Sequence, residues 1–178
     1  MLKKTIINIL FVITFIILYF LQLNFFSWFR IAGAMPNLFI ILVFYIGLFV
    51  GRRMGLTYGI IFGLLLDLLI GQKIGITPIM LGICGIIGGI FDKNFSKDSR
   101  ITIIIMVIGT TIIYEVGMYI LRYAILKSSV EILSFTKLLI AETVFNVILT
   151  IILYPFIQKT GHIVENQYKS STILTRYF

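Results

Sequence analysis

Apolar runs long enough to cross a membrane alternate with short polar breaks along most of the chain. Dividing the sequence at its charges and at its Gly or Pro clusters gives six apolar segments, at 5–23, 37–51, 54–71, 74–91, 101–121 and 138–157. A helix needs about 20 apolar residues to cross a hydrocarbon core of about 30 Å. The pattern therefore predicts an all-α fold, a single transmembrane domain over 1–178 built as a bundle of about six helices. The remaining tail, 158–178, has few apolar residues, and we expect a short, basic, mobile end.

Two of the breaks predict local structure. Pro36 and Asn37 precede the second segment, and proline fits the first turn of a helix because its missing N–H and fixed φ cost nothing there. Only residues 71–75 separate the third and fourth segments, so these helices should form a tight antiparallel hairpin.

The distribution of lysine and arginine predicts the orientation, because cytoplasmic loops carry an excess of both. With the N-terminus inside, ten basic residues lie in the cytoplasm and five outside. The inner set is Lys3, Lys4, Arg52, Arg53, Lys93, Lys97, Arg100, Lys159, Lys169 and Arg176, and the outer set is Arg30, Lys73, Arg122, Lys127 and Lys137. An even number of crossings then places both termini in the cytoplasm. The outer loop 122–137 is the weakest part of this assignment, since it holds three of the five outer basic residues.

Composition supports insertion in lipid and excludes several functions. Apolar residues make up 60% of the chain and charged residues 12%, which is too apolar for a soluble protein of this size. The net charge of +8 would suggest a nucleic-acid partner in a soluble protein, but these charges lie between apolar runs and are read as topology signals. No nucleic-acid partner is predicted.

Candidate catalytic and metal-binding residues are few. Cys84 is the one cysteine, so an internal disulfide is excluded, and His162, the one histidine, lies in the tail. The sequence contains no phosphate-binding glycine loop, zinc-binding motif or nucleophile motif. We therefore predict no enzymatic activity, no cofactor and no metal.

The third segment carries the most regular pattern in the sequence, a glycine ladder. Every fourth position is small or acidic, in the order Gly51, Gly55, Gly59, Gly63, Asp67 and Gly71. Such positions form one ridge of a helix, and glycines on a ridge let a neighbouring backbone approach closely. The neighbour is either the fourth helix of the same chain, which offers its own small residues Gly75, Gly82, Gly85 and Gly89, or a helix of a partner protein.

Three acids lie inside apolar segments, and with Arg122 they form a candidate polar cluster. An ionisable side chain at the centre of a membrane helix costs about 2.5–3.5 kcal/mol on insertion scales, so Asp67, Glu115 and Glu142 are candidate site residues. All three fall in the predicted outer half of the membrane. Arg122 follows Glu115 by seven residues and so lies on roughly the same helical face. We hypothesise a cluster shared by the third, fifth and sixth helices and open to the outside.

The alternative for these acids is purely structural. Asp67 and Glu142 would then reach the membrane interface beside Lys73 and Lys137, and Glu115 would make a single structural hydrogen bond.

These residues together resemble the bacterial rod shape-determining protein MreD family. The resemblance rests on 36–38 opening a helix, on Gly-Arg-Arg at 51–53, and on the glycine ladder through 63–71 followed by Gly75. It is strongest over 36–90, whereas 92–178 match in hydropathy alone. It implies a non-enzymatic protein of the bacterial cytoplasmic membrane that takes part in lateral cell-wall synthesis. The implied partners are MreC and, through it, MreB, RodA and a class B penicillin-binding transpeptidase.

Two functions of different class follow from the resemblance. In the first, the glycine groove or the polar cluster binds the transmembrane helix or external segment of MreC. In the second, the chain acts like the substrate-binding S component of an energy-coupling factor transporter, whose fold is similar to that of the family. A vitamin pocket combines polar groups with aromatic walls. Here most aromatic residues lie in the first two segments and at 25–29, with Tyr114 and Tyr119 as partial exceptions, which favours the interaction protein.

Overall fold

The fold is a bundle of six helices. The structure is a computed structural model that describes residues 2–30, 33–70, 75–94, 97, 99–126 and 131–173, with the backbone alone at 2, 93–94, 126 and 169–173. The helices are α1 (Leu2–Asn24), α2 (Leu38–Val50), α3 (Arg52–Ile70), α4 (Ile76–Asn94), α5 (Arg100–Leu126) and α6 (Ile132–Ile173). The predicted all-α membrane bundle is confirmed.

The sixth helix is much longer than the sequence predicted. It has 42 residues and continues past the apolar segment 138–157, so the chain is helical as far as Ile173 where the sequence predicted a tail. The hydropathy of the chain falls after 157, but the helix continues because this part still packs on the bundle, with Gly161 against the ring of Phe49. Residues 174–178 lie outside the described part. Pro155 stands inside α6, where it removes one backbone hydrogen bond.

The second helix is the centre of the bundle. Eleven of its 13 residues are buried, which fits its uniformly apolar sequence, because a helix that is apolar on every side has no solvent face to present. It packs on each of the other five helices. The side chain of Asn37 accepts a hydrogen bond from the N–H of Ile40 (3.4 Å) and so caps its first turn.

The first helix is peripheral and mostly faces outward. Its Phe15 stacks on Phe62 of α3 with ring centroids 4.5 Å apart. Near its other end the side-chain amide of Gln22 donates to the carbonyl of Pro36 (2.7 Å). Large apolar side chains such as Phe20, at 66% exposed, cover the outside of this helix, as expected for a surface that contacts lipid.

Among the described residues, four helices are long and apolar enough to cross a membrane: α1, α3, α5 and α6. Two shorter apolar helices are α2 and the stretch Ile76–Asp92 of α4, and α2 rises only about 20 Å. Successive helices run in opposite directions, so the start of α1, the end of α2 and the C-terminal part of α6 share one end of the bundle. We call it the basic end, because Lys3, Lys4, Arg52, Arg53, Lys97, Arg100 and Lys159 lie there.

Candidate functional site

The glycine ladder of α3 is filled by α4 of the same chain. A Cβ atom added to Gly59 would lie 2.5 Å from the backbone oxygen of Leu81, and one added to Gly55 or Gly63 would overlap the backbone of Gly85 or Pro78. No second helix can therefore enter this groove while α4 is in place. Of the two neighbours that the sequence allowed, the structure places the fourth helix against the ladder.

The facing glycines of α4 complete this seam. Gly85 lies against the backbone of Gly55, and Gly89 lies against Arg52. Gly82 is less constrained, because its nearest neighbour is the Cδ1 atom of the Leu56 side chain, 3.1 Å from an added Cβ.

Two further glycines, which sequence reasoning missed, bring α2 into the same seam. An added Cβ at Gly47 would overlap the carbonyl of Gly85, and one at Gly88 would overlap the carbonyl of Phe44. Gly47 is the single glycine of α2 and lies four residues before Gly51, so the ladder could have been extended to it across the break at 51–53.

Gly51 and Gly75 are not part of the packing surface, which corrects the prediction for both. Their φ angles are 112° and 117°, and an added Cβ would meet nothing within 4 Å at either. They lie in turns, where glycine is favoured because it adopts a positive φ without strain. Gly71 lies outside the described residues.

Asp67 anchors the hairpin between α3 and α4. Its side chain is buried, with the residue 2% exposed, and its Oδ2 atom accepts a hydrogen bond from the N–H of Gly75 (2.8 Å). It does not join the other two acids, because α3 packs against α4 and α2. The predicted three-acid cluster is thus wrong for Asp67.

Glu115 and Glu142 do come together, and the N-terminus of α2 takes the place expected for α3. The two carboxyl groups lie close enough to interact, as do the side chain of Asn37 and Glu142. Asn146 continues this network. Its Oδ1 accepts from the N–H of Asn37 (2.9 Å), and its Nδ2 donates to Oγ1 of Thr111 (3.1 Å).

The network is buried, which argues against the interfacial alternative for Glu142. That residue is 7% exposed, and its Oε1 atom has no hydrogen-bond partner among the described residues. Sequence reasoning missed Asn37, Asn146 and Thr111 because uncharged polar residues are common in membrane helices and gave no distinguishing spacing.

Arg122 and Glu115 share a small opening between α5 and α6, which we call the polar cleft. It has a volume of about 190 Å³ and is lined by Glu115, Met118, Tyr119, Arg122, Ser134, Phe135 and Leu138. The rings of Tyr119 and Phe135 lie 4.5 Å apart across it. The cleft is at the end of the bundle opposite to the basic end.

A second polar group, which the sequence did not predict, lies at the basic end. Lys97, before α5, forms ion pairs with Asp92 of α4 and with Glu165 of α6, the latter at 2.7 Å. Its ammonium also lies over the ring of Phe49, 5.4 Å from the centroid. These contacts tie the connection between α4 and α5 to the C-terminal part of α6.

The fold and its polar contacts define a membrane-embedded helical protein whose buried polar groups join helices to one another. Comparison with known proteins agrees with this class. The family model for the rod shape-determining protein MreD matches residues 3–160, so the chain belongs to the MreD family. No curated protein and no solved structure matches it.

Family membership identifies a rod shape-determining membrane protein, in a family of structural rather than enzymatic proteins. The resemblance found over 36–90 is confirmed and extends over nearly the whole chain. The expectations of no cofactor and no metal stay predictions.

Proposed function

We propose that this protein is a non-enzymatic component of the bacterial cell-elongation complex, that it binds MreC, and that it helps to position or regulate peptidoglycan synthesis. MreB, RodA and a class B penicillin-binding transpeptidase are its indirect partners. The family match supports a role in rod shape. We place the protein in the cytoplasmic membrane with both termini inside, because cytoplasmic ends of membrane proteins are enriched in lysine and arginine.

The polar cleft is our candidate surface for MreC. In this orientation it opens on the external side of the membrane. Arg122 is exposed there beside the aromatic pair Tyr119 and Phe135, and arginine and tyrosine are among the residue types that contribute most to protein interfaces. The glycine groove is a poorer candidate, because α4 already fills it.

The test is co-purification of MreC with a charge-reversed cleft. Arg122→Glu should strongly reduce the MreC recovered from detergent-solubilised membranes, because it places a negative charge beside Glu115. Lys137→Glu is the matched control: it makes the same change on an exposed residue of α6 near the same end but outside the cleft lining. Equal MreC recovery with both variants, at equal membrane levels, would exclude the cleft as the binding surface.

Gly59→Leu does not serve as a test of partner binding. The added side chain would collide with the backbone of Leu81, so a loss of co-purification would report a damaged hairpin rather than a lost interface.

The geometry gives less support to a substrate-binding component of a transporter. Small-molecule sites have volumes of roughly 300–1,000 Å³, and the polar cleft, at about 190 Å³, is smaller. Another cavity, of about 360 Å³, is lined almost entirely by apolar side chains and lacks the convergent polar groups that orient a vitamin.

A further inference from the structure

A long apolar groove lies between α1, α2 and α6, away from both the glycine seam and the polar cleft. Each of the three helices contributes one continuous face. The lining residues run from Ile7 to Leu18 on α1, from Leu38 to Val50 on α2 and from Leu153 to Val164 on α6, at spacings of three and four residues in all three. The volume of the groove is about 360 Å³.

The dimensions of this groove fit a single hydrocarbon chain. The lining of α2 spans twelve residue steps, or about 18 Å, close to the roughly 15 Å depth of one leaflet of the hydrocarbon core. Dividing the volume by this length gives a cross-section of about 20 Å². A transmembrane helix of about 10 Å diameter needs roughly 2,000 Å³ for a crossing of about 30 Å, so a partner helix does not fit.

The walls are apolar apart from three hydroxyl groups, and that of Tyr45 is buried with no hydrogen-bond partner among the described residues. The two threonine hydroxyls in the lining are satisfied within their own helices, since Thr14 donates to the carbonyl of Leu10 (2.8 Å) and Thr160 to that of Phe156 (2.9 Å). An occupant therefore has to be apolar along most of the length of the groove.

Charge at one end of the groove identifies the class of lipid. Lys3 and Lys4 precede the lining of α1 at the basic end, and the Lys4 ammonium lies over the ring of Tyr168 on α6, 5.4 Å from its centroid. Basic clusters beside the membrane surface attract anionic headgroups.

We propose that the groove binds one acyl chain of an anionic phospholipid, from the leaflet at the basic end, with the lipid headgroup beside Lys3 and Lys4. Because α1 is otherwise weakly attached, this lipid forms part of the contact between α1 and the rest of the bundle.

The first test measures retained lipid on the full chain by native mass spectrometry after mild detergent extraction. Wild type should retain an anionic phospholipid, and Ile157→Trp, which fills the groove, should reduce the retained fraction several-fold. The control is Ile152→Trp, on the same helix but 63% exposed and outside the groove. Leu10→Trp fills the groove from α1 and replaces Ile157→Trp if that variant does not insert.

The second test concerns the headgroup and uses nanodiscs with equal amounts of phosphatidylglycerol and phosphatidylethanolamine. Wild-type protein released from these nanodiscs should carry an excess of phosphatidylglycerol, and the Lys3→Gln/Lys4→Gln double variant should lose that excess, whereas Lys137→Gln at the opposite end should keep it. The proposal is overturned if wild type retains no lipid, if Ile157→Trp retains as much as Ile152→Trp, or if the wild-type lipid matches the nanodisc composition.

Discussion

Replacing Gly59 with alanine tests whether the seam between α3 and α4 depends on the absence of a single methyl group. The added Cβ would lie 2.5 Å from the oxygen and 2.7 Å from the carbon of the Leu81 carbonyl, about 0.9 Å short of the 3.4 Å at which ordinary contact begins. Both neighbours are backbone atoms, so the two helices must separate. Overpacking of this kind costs about 1–3 kcal/mol.

The same substitution at Gly109 provides the reference. An alanine there meets nothing within 4 Å, so it should gain only the higher helix propensity of alanine, about 1 kcal/mol. Because Gly59→Ala gains this propensity too, the difference between the two variants isolates the overpacking cost. Gly82→Ala should fall between them, since its nearest neighbour is a side chain that can move.

The assay is unfolding of each variant in mixed micelles by titration with dodecyl sulfate, followed by circular dichroism. Gly59→Ala should unfold at a clearly lower dodecyl sulfate fraction than Gly109→Ala, by the equivalent of about 1–3 kcal/mol. Equal midpoints for the two variants would refute the close approach of α3 and α4.

Two further substitutions test the polar contacts by the same unfolding assay. Asp67→Ala should destabilise the protein by about 1–3 kcal/mol because the buried N–H of Gly75 loses its acceptor, whereas Asp67→Asn keeps an acceptor oxygen and should cost less; equal losses would argue against this hydrogen bond. Lys97→Met should cost about 3–5 kcal/mol, because it leaves two neighbouring carboxylates without their cation. The side chains of Asp92 and Glu165 are only 9% and 19% exposed. Adding Glu165→Gln to Lys97→Met should recover part of that loss, and no recovery would mean that the ion pair is not what Lys97 contributes.

The helices and the ladder could be predicted because their signals are local. A run of apolar residues predicts a helix wherever it lies, and Gly55, Gly59 and Gly63 fall on one ridge because of helix geometry alone. The same periodicity included Gly51, which the structure places in a turn, because four-residue spacing does not show where a helix begins.

The contacts that join distant segments could not be predicted in the same way. The N–H of Asn37 binds a side chain 109 residues further along the chain, and Lys97 binds an acid 68 residues away. Nothing in the spacing of these residues distinguishes them from solvated polar residues. Asp67 shows the limit most clearly: its placement in an apolar segment singled it out correctly, but its partner is the nearby backbone of Gly75 rather than another acid.

The length of α6 has a mechanical consequence. Its 42 residues rise about 63 Å, roughly twice the hydrocarbon thickness, so one unbroken helix carries Phe135 of the polar cleft near one end and Glu165 near the other. A tilt of about 10° around its midpoint would displace each end by about 5 Å in opposite directions. A partner that moves the end of α6 at the polar cleft would therefore also move its other end, which lies against Lys97.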